Sequence, residues 1–313
     1  MDRIAVVGAG LIGRAWAVVF ARAGHPVKMW DADPAAVPKA LALIDDALEE
    51  LKEFGLIGED PASVRARIAA APTLRDCVHD ADYVQENVAE KVDVKRKLYA
   101  EMDAAVPPAC ILASSTSSIP TSEFSEGLTG KHRCIVVHPV NPPHLVPLVE
   151  ISRAPWTAPE VVQRATRLQQ SVGQVPILVQ KEINGFILNR LQAALTFEAW
   201  RLVEEGYVSV DDADKCLKDG LGLRWSFMGP FETGDLNAPG GIADYAARYG
   251  GVMYDMIKDV RYQPMNQALI KRVEAERRKV LPQERHAERE AWRDRRLMAL
   301  IAHKRAMAAK EKP

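Results

Sequence analysis

The sequence predicts an α/β domain followed by an all-helical domain, and three observations carry that expectation. Arg3–Val7 is a short β-branched run ending at Gly8, Leu11–Ala23 has helical spacing closed by Gly24, and His25–Trp30 is a second short run. Strand, glycine turn, helix and strand within about 30 residues make a βαβ unit. Strand and helix signals then alternate as far as Val179. From Ile183 onward the strand signals stop and only helical patterns remain.

Along the first half, Pro34–Phe54 and Pro61–Ala70 have helical spacing, Asp82–Gln85 is strand-like and Val92–Ala104 helical. Ile111–Ser114, Cys134–His138, Leu148–Ile151 and Gln174–Val179 are candidate strands, with Pro159–Ser171 a helix before the last of them. Ile187–Gly206, Val210–Gly220 and Gly241–Lys258 are the helix candidates of the second half. The expected domains are 1–181 and 182–313, which suits a length of 313 residues at about 100–200 residues per domain.

Composition excludes several classes. Hydrophobic residues make up 48% and charged residues 27%, as in an ordinary soluble globular chain. No apolar run approaches the length of a membrane span, and Gly8, Gly10, Gly13 and Arg14 interrupt the apolar N-terminus where a signal peptide would need continuity. Cys77, Cys110, Cys134 and Cys216 form no CxxC or Cys/His cluster, so no metal site is expected, and reduced thiols in a cytoplasmic protein are. The net charge of -1 conceals an asymmetry: residues 271–313 carry 14 Lys/Arg against 7 Asp/Glu, leaving -8 for residues 1–270. Arg285–Lys310 has helical spacing with Trp292, Leu297, Met298, Leu300 and Ile301 as its apolar positions. A basic tail helix that packs on the acidic body or on a dimer mate is expected, rather than a nucleic-acid partner, because no nucleic-acid motif accompanies it.

Gly8-Ala9-Gly10-Leu11-Ile12-Gly13 matches G-x-G-x-x-G and stands between a predicted strand and a predicted helix, the context a dinucleotide site requires. Gly8 serves the tight turn, Gly10 the close approach of backbone to a pyrophosphate, and Gly13 the helix–strand packing. The helix N-terminus at Leu11 and Ile12 supplies N–H groups and a partial positive charge. Asp31, 18 residues beyond Gly13, ends the second strand. A carboxylate there accepts from both ribose hydroxyls and repels a 2′-phosphate, so the expected cofactor is NAD.

His138 follows one strand-like run and Glu150 lies within the next, so two adjacent strands would set them side by side. An imidazole beside a carboxylate gains basicity and orientation, as a general base needs, whereas a lone histidine is more often structural. Ser114-Ser115-Thr116-Ser117-Ser118 is open to two readings, a substrate-binding hydroxyl cluster or a turn with an N-cap. Asn189 is likewise either a solvated helix position or a substrate donor.

Gly8–Gly13, Ser115-Thr116-Ser117-Ser118, His138-Pro139-Val140-Asn141-Pro142, Leu148-Val149-Glu150, Gly185-Phe186-Ile187-Leu188-Asn189-Arg190 and Met228-Gly229-Pro230-Phe231-Glu232 stand in the order found in 3-hydroxyacyl-CoA dehydrogenases. The sequence resembles that family over about residues 1–260. The resemblance implies a Rossmann-like, doubly wound sheet followed by a helical domain that mediates homodimerisation. It implies His138 as catalytic base and Glu150 as its partner, Ser117 and Asn189 on the reacting oxygen, and Glu90 and Lys95 near the nicotinamide and its ribose. Asn141, within the His-Pro-x-Asn-Pro segment, is added to the substrate positions. Departures from the acyl-CoA pattern around Gly220–Pro230 and at Asn141-Pro142-Pro143 resemble the lambda-crystallin and L-gulonate 3-dehydrogenase branch. The expected substrate is therefore a small free 3-hydroxy acid, with a short-chain 3-hydroxyacyl-CoA as the alternative. Arg224 is either a bidentate partner for a substrate carboxylate or a surface salt bridge. A non-catalytic NAD-binding role is the reading of another class, against which the intact His138, Glu150, Ser117 and Asn189 argue.

Overall fold

A computed structural model describes residues Met1–Lys310. Two compact units are present: Met1–Arg190 together with the segment from Arg289 onward, and Leu191–Glu288. The first unit runs β1 (Ile4–Val7), α1 (Leu11–Arg22), β2 (Val27–Trp30), α2 (Ala36–Glu53), α3 (Pro61–Arg65), β3 (Ile68–Ala70), α4 (Leu74–Val78) and β4 (Tyr83–Glu86). It continues through α5 (Val92–Ala105), β5 (Ile111–Ser114), α6 (Thr121–Ser125), β6 (Cys134–Pro139), β7 (Leu148–Arg153), α7 (Pro159–Ser171) and β8 (Val175–Val179). The eight strands form one sheet in the order β3-β2-β1-β4-β5-β6-β7-β8. Every neighbouring pair is parallel except β6 and β7. The order reverses at β1, which lies between β2 and β4, and such a reversal opens a crevice at the carboxyl ends of the strands.

Strand periodicity explains why both faces are covered. In β1, Ile4 and Val6 join one buried cluster with Trp16 and Phe20, while Ala5 and Val7 join another with Tyr99 and Met102. Successive side chains point to opposite faces, so a continuous apolar run serves a sheet packed on both sides. Each fully buried Val, Leu, Ile or Phe contributes roughly 1.5–3 kcal/mol.

The run expected as a helix over Pro61–Ala70 is split. Asp60 caps α3 by accepting from the Ser63 N–H at 3.3 Å, and the helix ends at Arg65. Ile68 is then buried opposite Val27 in β3, because pairing beside β2 satisfies backbone groups that one more helical turn would leave over the core.

The second unit is helical: the greater part of α8 (Leu188–Glu204), then α9 (Val210–Lys215), α10 (Gly222–Trp225), α11 (Pro230–Leu236), α12 (Gly241–Ile257) and α13 (Gln267–Val280). The single helix expected over Val210–Gly220 instead passes into a π-helical turn at Cys216–Leu221. Gly222 suits the wider i→i+5 turn, since a Cβ there would lie 2.8 Å from the Leu217 carbonyl oxygen.

The last helix, α14 (His286–Lys310), departs from the expected division at residue 181, because from Arg289 it groups with the first unit. Met298 is buried in the Trp16 cluster, and Leu297 and Ile301 pack against it. Arg295 pairs with Glu53 of α2 at 2.6 Å, and its guanidinium stands 4.9 Å from the Phe54 ring centroid. The expected apolar stripe of five residues is reduced to three, since Trp292 and Leu300 are each 44% exposed. Trp292 is covered by Arg289, whose guanidinium carbon lies 3.4 Å from the indole centroid.

Candidate active site

The β6–β7 pairing sets His138 directly opposite Glu150. Strand alternation turns both side chains to the same face, and His138 Nδ1 lies 2.8 Å from Glu150 Oε2. Glu150 is fully buried and His138 nearly so. The second carboxylate oxygen, Oε1, accepts from the N–H groups of Ile187 and Leu188 at 2.8 and 2.9 Å, where α8 begins. Burial alone would push the Glu150 pKa up. The hydrogen bonds from His138 and the two amides outweigh it, so the carboxyl lies below the usual range and stays ionised. A carboxylate on Nδ1 fixes the neutral tautomer with the proton there, which leaves Nε2 as an acceptor. Phe186 completes the wall: its ring centroid is 5.5 Å from that of His138, and it is held with φ at +47° directly after Gly185. A left-handed, fully buried phenylalanine costs of order 1–3 kcal/mol, and such strain gathers at functional sites.

The hydroxyl segment proves to be divided among different partners. Ser114 Oγ donates to Glu86 Oε2 at 2.6 Å, and Ser115 Oγ donates to Asn87 Oδ1 at 2.7 Å while accepting from Gln85 and Trp16. Glu90 Oε1 accepts from the Thr116 hydroxyl at 2.6 Å, from the Ser117 and Ser118 N–H groups at 3.0 Å each, and from the Ser118 hydroxyl at 3.1 Å. Partial burial raises the Glu90 pKa, but these donors and the Lys95 charge bring it below the ordinary carboxylate value. Asn189 Nδ2 donates to the Ser117 carbonyl at 2.8 Å, so Ser117, Glu90 and Asn189 form one cluster. Lys95 is buried and faces Glu86, 2.8 and 2.9 Å from its two oxygens, with Glu90 at 4.0 Å.

The glycine loop joins β1 to α1. Gly8 has φ at +95°, and a Cβ on Gly13 would lie 1.8 Å from the Gly8 carbonyl oxygen. Gly10 differs, because a Cβ there would meet nothing within 4 Å. Its lack of a side chain serves no contact within the protein; it leaves the N-terminus of α1 open, where no side chain caps the amides. Asp31 Oδ2 accepts from the Ala9 N–H at 2.7 Å and Oδ1 from the Asp33 N–H at 2.9 Å, which fastens the loop to the end of β2. An open, uncapped helix N-terminus beside an anchored carboxylate fits a dinucleotide, which Gly10, Leu11 and Ile12 could hold at the pyrophosphate and Asp31 at the ribose.

Asn141 is exposed just beyond β6. Arg224 is exposed in α10 of the helical unit and has no ion pair among the described residues. Glu86 and Asn87 have no place among the residues the sequence singles out, and Phe186 stands there only inside the Gly185–Arg190 motif, with no role of its own. Glu86 ends β4 and Asn87 follows it without any motif, and only the chain crossing beside Gly8 reveals them; a Cβ on Gly8 would lie 2.8 Å from the Asn87 carbonyl oxygen.

The chain resembles known proteins along most of its length. Residues 3–183 match the NAD-binding domain of 3-hydroxyacyl-CoA dehydrogenase, and residues 185–280 match its C-terminal domain. The chain is 41% identical to lambda-crystallin of Oryctolagus cuniculus, over 97% of each chain. It is 41% identical to the L-carnitine dehydrogenase of Streptomyces coelicolor, over 79% of this chain and 77% of that one. Among solved structures, an NAD+-dependent 5-formyl-3-hydroxy-2-methylpyridine 4-carboxylic acid 5-dehydrogenase superposes with a TM-score of 0.76 at 28% identity, covering 92% of this chain and 99% of the other. The cofactor is NAD and the chemistry is oxidation or reduction at a CH–OH carbon: the chain belongs to the 3-hydroxyacyl-CoA dehydrogenase family.

Proposed function

We propose that the protein oxidises the 3-hydroxyl of a small free L-3-hydroxy acid, in the manner of an L-gulonate 3-dehydrogenase, with His138 as general base and Glu150 as its partner. The observation that carries the base is the buried Nδ1–carboxylate contact of 2.8 Å, with the other carboxylate oxygen held by two amides. The hydroxyl proton passes to His138 Nε2, and Glu150 stabilises the imidazolium that results. Ser117 and Asn189 hold the substrate oxygen as it becomes a carbonyl, and Glu90 keeps their loop in place. NAD, when bound, takes the hydride from C3. Asn141 and Arg224 complete the substrate positions, Arg224 as a fork for the free carboxylate.

Two likenesses support a free acid over a thioester: lambda-crystallin along nearly the whole chain, and a carnitine dehydrogenase. Carnitine is itself a 3-hydroxy acid with a free carboxylate. The test is NAD reduction with L-gulonate, L-3-hydroxybutyrate, L-carnitine and 3-hydroxybutyryl-CoA. A higher kcat/KM for a free acid, with KM raised in Arg224→Met, supports the reading; a higher value for the CoA ester replaces it with the acyl-CoA activity.

A homodimer is part of the same proposal. The helical unit exposes Phe231 by 83%, Met256 by 70% and Phe227 by 69%, and apolar surface of that kind marks an interface. Light scattering on the full chain tests it, with a monomer mass as the opposing result. A cytoplasmic setting is inferred from the four free cysteines; burial pushes the thiols of Cys77, Cys110 and Cys134 up to about 12.

A further inference from the structure

A cavity of about 250 Å³ lies beside the C-terminal turn of α1, between the Leu56–Glu59 segment and the Ser171–Gly173 turn. None of its lining residues belongs to the active site. That space is far larger than a single water needs and admits a compact organic molecule.

The wall holds a cation without a counter-ion. Arg22 Nη1 donates to the His144 carbonyl at 2.7 Å, and no carboxylate pairs with Arg22 among the described residues. Glu59, the one carboxylate of the lining, is taken by Arg67, which bonds both of its oxygens. Arg133 shows the usual arrangement, since its buried guanidinium is matched by Asp103. Arg305 of α14 brings a second positive charge near Arg22 by donating to the carbonyl of Leu56, a lining residue, at 3.1 Å. Burial, with the charge of Arg305 added, pushes Arg22 down to about 10. A guanidinium so placed retains free N–H donors in a planar fork that matches an oxyanion.

We propose that this cavity is a second ligand site, separate from the catalytic centre, that binds a small organic oxyanion through Arg22 with Arg305 in support. The shared chemistry is a carboxylate or a phosphate group on a compact molecule. By bridging α1 and α14, the bound anion fastens the C-terminal helix to the dinucleotide-binding unit.

The experiment is calorimetric titration of the full chain with citrate and with inorganic phosphate. Saturating NAD occupies the dinucleotide site, and chloride keeps the ionic strength constant. The expected result is saturable one-site binding, weakened at least tenfold in Arg22→Met and about threefold in Arg305→Met. The ligand-free Arg22→Met protein melts no lower than wild type, because an uncompensated cation has been removed. Saturating anion raises Tm by roughly 5 °C in wild type and not in Arg22→Met. Tighter citrate binding assigns a carboxylate ligand, and tighter phosphate binding a phosphate ester. Should Arg22→Met fail to fold, the threefold loss in Arg305→Met carries the test. No saturable binding of either anion, or undiminished affinity in the variants, overturns the proposal.

Discussion

His138 Nδ1 stands 2.8 Å from Glu150 Oε2 across the antiparallel β6–β7 pair, and the same carboxylate accepts the amides of Ile187 and Leu188. Glu150 therefore has two tasks, orienting the imidazole and capping the start of α8. Replacement by glutamine separates them. The amide oxygen of Glu150→Gln can still accept from backbone, but the charge that stabilises an imidazolium is gone. Expected is a fall in kcat of about 10²-fold or more, with NAD affinity unchanged by fluorescence titration. His138→Ala should lose about 10²–10⁴-fold while still binding NAD. Near-wild-type turnover in either variant would remove the base assignment.

The three glycines of the loop make separable predictions. Gly13→Ala drives a Cβ to 1.8 Å from the Gly8 carbonyl oxygen, a backbone atom that cannot swing aside. Overpacking of that severity costs about 1–3 kcal/mol or more and should lower Tm. Gly10→Ala meets nothing within 4 Å, so the apoprotein should melt as wild type does. Its deficit should appear only with cofactor, as at least a tenfold weaker NAD affinity. Equal Tm losses in both variants would mean that Gly10 has an internal packing role.

Much of this is legible in the sequence. The strands that carry the loop, the hydroxyl segment and the His–Glu pair are short β-branched runs with clear ends, and each forms one sheet position. The three-residue strand β3 was not legible, because Ile68-Ala69-Ala70 has no periodicity and becomes a strand only through the neighbouring β2. Nor was the division of labour in Ser114–Ser118, where hydroxyls of one type go to Glu86, Asn87 and Glu90 according to where other strands end. Phe186 was invisible as a wall residue, since its left-handed backbone follows from the turn into α8 rather than from its own preference. The tail's helical spacing was readable, but the face that it buries was set by α2 and the Trp16 cluster.

His144 predicts a pH window for stability. Burial lowers its pKa to about 4, assisted by the charges of Arg22 and Arg14 and opposed by Asp294, and its Nδ1 is buried without a partner. The unfolded chain takes up a proton below about 6.5, whereas the folded protein resists until about 4. Over that interval the unfolded state binds more protons, so stability is full above the unfolded pKa and is lost as pH falls toward 4. The loss is up to about 3 kcal/mol. In His144→Gln the fall in Tm between pH 7 and pH 4.5 should be visibly smaller. Glu150, with its lowered pKa, contributes in a separate window below the ordinary glutamate value, so its stabilising effect persists at pH 5. An identical pH profile in His144→Gln would show that the imidazole already titrates freely.

The C-terminal helix gives the sharpest contrast between packing and charge. Met298 is 2% exposed within the Trp16 cluster, and truncating a buried methionine to alanine typically costs about 2–5 kcal/mol. Arg295 also joins α14 to α2 through Glu53, but both partners are about half exposed, and such pairs contribute about 0–1 kcal/mol. Met298→Ala should therefore lower the denaturation free energy several times more than Arg295→Ala, as read from urea midpoints at constant slope. Deleting residues 285–313 should exceed both, because Leu297 and Ile301 leave the core together with Met298. Since the helix lies against α2 and not among the catalytic residues, kcat measured well below the lowered Tm should stay near wild type in Met298→Ala. A Met298→Ala protein as stable as wild type would mean that the helix is held by its charges, and raising the salt concentration would then destabilise the wild type in its place.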